Sequence, residues 1–158
     1  MHYQRKLADI LKQMVRDNLI PEKVKNYLIF LLILSVIFSL IAIRGDYILA
    51  PPYAVSAYLV AFQRNTKYSS RESLIATYAL VIISSDALHF LFGGSLVGMI
   101  FNVLIVSAFV TFTNLTHPPA IALTIFSYIA GDPLNFTISS GLSLLALLAA
   151  SLIIEKYG

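Results

Sequence analysis

The residues of this chain that could do chemistry are few, and most sit inside apolar runs. Thr116-His117-Pro118-Pro119-Ala120 lies between "FNVLIVSAFVTF" and "IALTIFSYIA". Histidine is costly in hydrocarbon, and adjacent prolines break helices. Asp86, His89 and Asn102 stand in two further apolar runs. A carboxylate in such a run is a functional candidate by default. Asp86 could accept a proton, with His89 and Asn102 completing a polar relay. The competing expectation is that Asp86 pairs with Arg44. His89, nearer the end of its run, reads more simply as an interfacial residue. The chain has no glycine-rich phosphate loop, no HExxH, no GxSxG and no paired acidic motif. An enzyme is therefore not expected, and neither a cofactor nor a metal is called for.

Composition sets the solvent. Of 158 residues, 58% are hydrophobic and only 12% are charged, and the mean hydropathy is +0.82. A soluble surface needs more charge than that. The chain reads as an all-α integral membrane protein of the cell membrane. It has no cysteine, so disulfides and thiolate sites are excluded. No apolar run opens it, so a cleaved signal peptide is not expected. The formal charge of +3 does not call for nucleic acid.

Residues 1–23 place Leu7, Ile10, Leu11, Met14 and Leu19 near helical spacing among charges. That predicts an amphipathic interfacial helix ended by Pro21. Six apolar segments follow, at 24–43, 47–62, 72–92, 95–112, 117–130 and 134–154. The chain also repeats itself. "APPYAVSAYLVAF" at Ala50 and "HPPAIALTIFSYIA" at His117 start 67 positions apart (117 − 50), and at that offset the third segment overlays the last. The expected halves are 24–92 and 93–158, each a long span, a short double-proline helix and a long span.

Basic residues choose the topology. With six crossings and both termini cytoplasmic, Arg5, Lys6, Lys12, Arg16, Lys23, Lys25, Arg64, Lys67, Arg71 and Lys156 lie inside. Only Arg44 lies outside, as the positive-inside rule prefers. Three crossings per half make the halves inverted repeats.

A proline at a helix start costs nothing, because its missing N–H would be unpaired there anyway. Pro51 and Pro118 therefore read as helix starts, with "GDYILA" and "TNLT" running extended into the bilayer. The second and fifth segments become broken half-helices whose N-termini converge. Free N–H groups and a partial positive charge at such ends favour an anion. Broken helices at matching positions of inverted repeats point to a transporter's binding site. The expected site comprises Pro51, Pro52, Tyr53, Ala54 and Ser56 from the first half. The second half adds Thr116, His117, Pro118, Pro119 and Ala120. His117 would add charge or a ring N–H.

The His117-Pro118-Pro119-Ala120 box in a small multi-span protein resembles the HPP family of integral membrane proteins, from about Val24 onward. The family's first-half box, A-P-F-G-A-S-A, is similar to Ala50-Pro51-Pro52-Tyr53-Ala54-Val55-Ser56-Ala57. Its Q-P-R segment is matched loosely by Ser70-Arg71. Ala120-Ile121-Ala122 stands where the family has Ala-Gly-Ala, so Ile121 narrows the space beside that helix. The resemblance implies transport of a small anion, nitrite being the specific candidate, since plant and cyanobacterial relatives are associated with nitrite transport. The alternative is a membrane-anchored interaction or regulatory module that transports nothing. The lipid bilayer and a small inorganic anion are the expected partners, and so small a unit is compatible with a homo-oligomer.

Overall fold

The computed structural model describes the backbone of residues 19–157, with side chains from 22 to 156. Most of the expected interfacial helix lies outside these residues. Helix α1, Leu19–Arg44, carries Pro21 within its first turn, where proline is tolerated. Pro21 thus sits inside the first long helix.

Five more helices follow: α2 Ala50–Phe62, α3 Arg71–Phe92, α4 Leu96–Phe112, α5 Pro119–Ile129 and α6 Pro133–Tyr157. Among the described residues there is no strand. Three stretches, Glu22–Arg44, Arg71–Phe92 and Pro133–Lys156, are long and apolar enough to cross a membrane, and three shorter helices are also apolar. The molecule is an all-helical protein of the kind that lipid accommodates, because every helix satisfies its own backbone.

Local chemistry sets the helix ends. Ser70 caps α3 by accepting from the Ser73 N–H at 3.2 Å, and Ser95 caps α4 by accepting from the Gly98 N–H at 3.2 Å. Asp132 accepts from the N–H of Leu134 at 3.0 Å to start α6, with Pro133 as its first helical residue. Gly93, at φ +63°, ends α3 and makes the tight α3–α4 hairpin, a conformation that glycine adopts without strain.

The run before α2 is not extended as its prolines suggested. Gly45 turns the chain, and Tyr47–Leu49 forms a 3-10 turn that leads directly into α2. Leu49 N–H donates to Asp46 C=O at 2.9 Å. These short-range bonds satisfy groups that an extended strand would leave orphaned in apolar surroundings. The run before α5 does lack helix, from Thr113 through His117. Its polar groups are tied locally: Thr113 Oγ1 donates to Phe109 C=O at 2.7 Å, and Thr116 Oγ1 to Thr113 C=O at 3.2 Å.

α1 buries a single stripe, Ile33, Ile37 and Ile41, and α4 likewise buries Gly98, Asn102, Val106 and Val110. Their other faces are bare; Ile43 is 82% exposed and Phe112 86%. Such faces suit lipid. The centre is built by α2, α3, α5 and α6, with Tyr53, Tyr78, Leu123 and Phe136 fully or almost fully buried. α2 packs on α1, α5 and α6, and α5 packs on α4, α3 and α2.

Candidate functional site

Both double prolines line one cavity of about 490 Å³. Pro51, Pro52, Val55 and Leu59, one face of α2, look across it at Pro118, Pro119 and Ala122 of α5, with Tyr68 from the α2–α3 loop alongside. The two helix starts therefore meet. The cavity walls, however, are almost wholly apolar.

The expected backbone donors are not offered to that space. Prolines carry no N–H, so the first positions of each helix contribute none. The next amides are already used: Ala120 N–H donates to His117 C=O at 3.1 Å, and Ile121 N–H to Pro118 C=O at 3.0 Å. Before α2, the Ala50 N–H donates to Tyr47 C=O. The prolines that start the helices thus strip them of the free amides that make an anion nest.

Polar chemistry lies underneath, in the packed interior. His117 is fully buried. Its Nδ1 lies 2.5 Å from the Tyr68 carbonyl oxygen, which can only accept, so Nδ1 carries the proton. Its Nε2 is then free to accept, and Ser56 Oγ lies 2.8 Å from it. Ser56 Oγ also meets Tyr78 Oη and lies 3.0 Å from Pro52 C=O. With one proton per hydroxyl, the cluster reads Tyr78 O–H to Ser56, Ser56 O–H to His117 Nε2, and His117 Nδ1–H to the Tyr68 carbonyl. The neutral ring is satisfied on both sides, so its N–H is spent on Tyr68 and is not presented to the cavity. The His117 and Tyr78 rings pack edge to face with centroids 5.1 Å apart. Tyr53 is buried beside them, 5.2 Å from the Tyr78 ring, and donates to Ser140 C=O at 2.8 Å.

The remaining expected site residues fall into place around this cluster. Ala120 is buried in the first turn of α5. Thr116 bonds within the irregular run through its hydroxyl. Ala54 is half-buried on α2 and makes no polar side-chain contact.

The expected relay residues occupy a separate place near the α3–α4 turn. Asp86 does not pair with Arg44. Thr137 Oγ1 of α6 lies 2.7 and 2.9 Å from its two carboxylate oxygens and donates to them. Arg44 donates instead to Asn135 Oδ1, and Asn135 donates to Asp46. The helix rotation decides this: Arg44 ends α1 beside Asn135, while Asp86 meets Thr137, two residues on and on a different face of α6. His89 Nδ1 lies 2.8 Å from Ser85 C=O, and its ring stacks on Tyr128 at 4.2 Å. It is thus held within the bundle's contacts. Asn102 is buried and donates to Ser85 Oγ at 2.9 Å. Asp86 and His89 share an open cavity of about 390 Å³ with Pro133 and Thr137. Among the described residues no cluster of three metal-ligating side chains exists.

Sequence reasoning missed Tyr78, the Tyr68 carbonyl and the buried carboxylate of Asp46, which accepts from Asn135 and Ser139. Tyr78 had a signal: a phenol in the middle of an apolar span needs a partner. The Tyr68 carbonyl had none, since a main-chain acceptor leaves no mark on side-chain type. No family model, curated protein or solved structure matches the chain.

Proposed function

We propose that this chain is a six-crossing membrane protein of two inverted three-helix repeats that moves a small monovalent anion along the α2–α5 interface. Nitrite is the candidate that the family resemblance suggests. The observation that carries the reading is the meeting of the two double-proline helix starts, with Ser56 of the first half 2.8 Å from His117 of the second.

The packing pattern supports the repeat. Exchange α1 with α4, α2 with α5 and α3 with α6. α1 on α2 becomes α4 on α5, α3 on α4 becomes α6 on α1, and α3 on α5 becomes α6 on α2, all of which pack. The pairs α2–α5 and α3–α6 map onto themselves, and the slight contact of α5 on α6 is the one packed pair without an equally extensive counterpart. The ends support it too. Arg64 donates to Asn26 near the start of α1, and Arg71 pairs with Glu155 in the last turns of α6 at 2.7 Å. These basic residues share one end, while Arg44 is at the other. The end that carries Arg64 and Arg71 is the cytoplasmic one in this reading, with both termini on it.

The donors available to an anion are side chains, not helix amides. In the present arrangement the Tyr78, Ser56 and His117 groups bond one another beneath an apolar groove. A solute must compete with those bonds, so this conformation is the closed one. Anion uptake into proteoliposomes holding the purified chain tests the reading. Flux of nitrite, nitrate, formate or a halide is expected. No flux of any of them would leave the non-transporting interaction module as the better account.

A further inference from the structure

Buried hydroxyls in these helices have the habit of finding a partner, mostly a carbonyl of their own helix, with Ser139 reaching across to Asp46. Ser56 lies 3.0 Å from the Pro52 carbonyl, Thr77 donates to Ser73 at 2.6 Å and Thr124 to Ala120 at 2.9 Å. Bonding back to one's own helix is how a serine or threonine is satisfied in apolar surroundings. Ser140 and Ser143 of α6 break the habit. Both are 0% exposed, and neither Oγ has a hydrogen-bond partner. Such orphans are rare in folded proteins and require a reason.

Their position supplies one. Phe136, Ser140, Ser143 and Leu147 are all buried, at the i, i+4, i+7, i+11 spacing of one helix stripe. The backbone of that stripe is tied to the cluster already described through Tyr53. Tyr53 of α2 donates to the Ser140 carbonyl at 2.8 Å, and its ring lies 5.2 Å from that of Tyr78, which bonds Ser56.

We infer that the Ser140 and Ser143 hydroxyls are solute-binding donors, extending the Tyr78–Ser56–His117 cluster across to α6 into a site that holds an anion by neutral donors alone. The inference rests on the transport reading above. It also names the substrate class. Among the described residues every lysine and arginine stands in a loop or near a helix end, and none belongs to this interior. A dianion would keep an uncompensated charge in low dielectric. A singly charged anion loses less hydration and needs no cation. The site therefore takes nitrite, nitrate or a halide and refuses sulfate and hydrogen phosphate.

Orphaned hydroxyls give an unusually clean test, because deleting them removes no bond. Uptake of nitrite, nitrate and sulfate is measured in proteoliposomes for the unaltered chain, Ser140→Ala, Ser143→Ala and the double variant. Ser39→Ala, on the outer face of α1, is the control. Thermal unfolding is followed in parallel. The double variant should keep or gain thermal stability while its KM for nitrite or nitrate rises about tenfold or more, the scale of one lost donor. The control should not change, and sulfate should not move in any of them. Ser140→Cys and Ser143→Cys keep the volume but donate weakly; they give the same readout should an alanine variant fail to fold. An unchanged KM, or a fall in stability without a change in KM, overturns the assignment while leaving transport itself standing. Sulfate uptake by the unaltered chain overturns the neutral-donor site. If the unaltered chain moves no anion, the transport reading fails and takes this inference with it.

Discussion

Ser56 joins three neighbours through one oxygen, and its removal separates structure from function at the smallest scale. Ser56→Ala leaves the Tyr78 hydroxyl and His117 Nε2 without their shared partner in a buried site. Each orphan costs about 1–3 kcal/mol in water-soluble proteins and less within membranes, where averages are about 0.6 kcal/mol. The expected loss is about 1–2 kcal/mol, read by thermal unfolding in detergent, larger than for the exposed Ser35→Ala on α1. Asp86 offers a second comparison. Because it accepts from Thr137 and not from Arg44, Thr137→Val should disturb it and Arg44→Gln should not. If the α3–α6 contact depends on that bond, Thr137→Val lowers the melting temperature of the protein while Asp86→Asn, which keeps an acceptor oxygen for the Thr137 hydroxyl, lowers it less. Equal falls for Thr137→Val and Asp86→Asn would sink the pairing.

At the scale of elements, the helices are delimited by small local devices. Gly93 at φ +63° and Gly94 are neighbours in the α3–α4 turn, and a Cβ on either meets nothing within 4 Å. Space therefore does not distinguish them; backbone conformation does. Gly93→Ala should destabilise by about 1–3 kcal/mol, the cost of placing an L side chain at φ 63°, ψ −164°, a region essentially reserved for glycine, and Gly94→Ala should be close to neutral. Matching melting temperatures for the two variants would contradict this account of the hairpin. The double prolines act at the same scale. They start α2 and α5 with pre-set φ angles, but they also delete the amides that a helix N-terminus would turn toward an anion. A half-helix opened by two prolines is a geometric device more than an electrostatic one.

The whole molecule is where the inverted repeat stands or falls. The chain has no cysteine, so single cysteines report without background. Thr66, in the loop that carries Arg64 and Lys67, and Gly94, in the opposite turn, should label from opposite sides of the membrane, Thr66 from the cytoplasm. Labelling of both from one side would reduce the crossings and remove the inversion. Exchange of the two halves preserves nearly all helix neighbours, and the outer helices α1 and α4 each bury one narrow stripe. Those two features agree because they follow from the same layout: a four-helix centre flanked by two lipid-facing helices.

The sequence by itself determined the elements. Hydropathy and proline position placed the six helices of the described residues to within a few residues of their observed ends, except for the start of α1 at Leu19, while the run at 47–49, expected to be extended, is a 3-10 turn. Those ends are local matters of caps, prolines and glycines. What only the tertiary structure decided is which side chains meet. In a soluble helix the polar stripe announces the outer face, but α4 is apolar on most of its surface, and little besides Asn102 marks the side that buries Val106 and Val110. Lipid and core accept the same residues, so helix rotation is invisible in hydropathy. Rotation is what put Asp86 against Thr137, Arg44 against Asn135, and Ser56 against a histidine 61 residues away. The same contacts turned "THPPA" from an expected nest of free amides into an apolar mouth above a closed chain of hydroxyls and one imidazole.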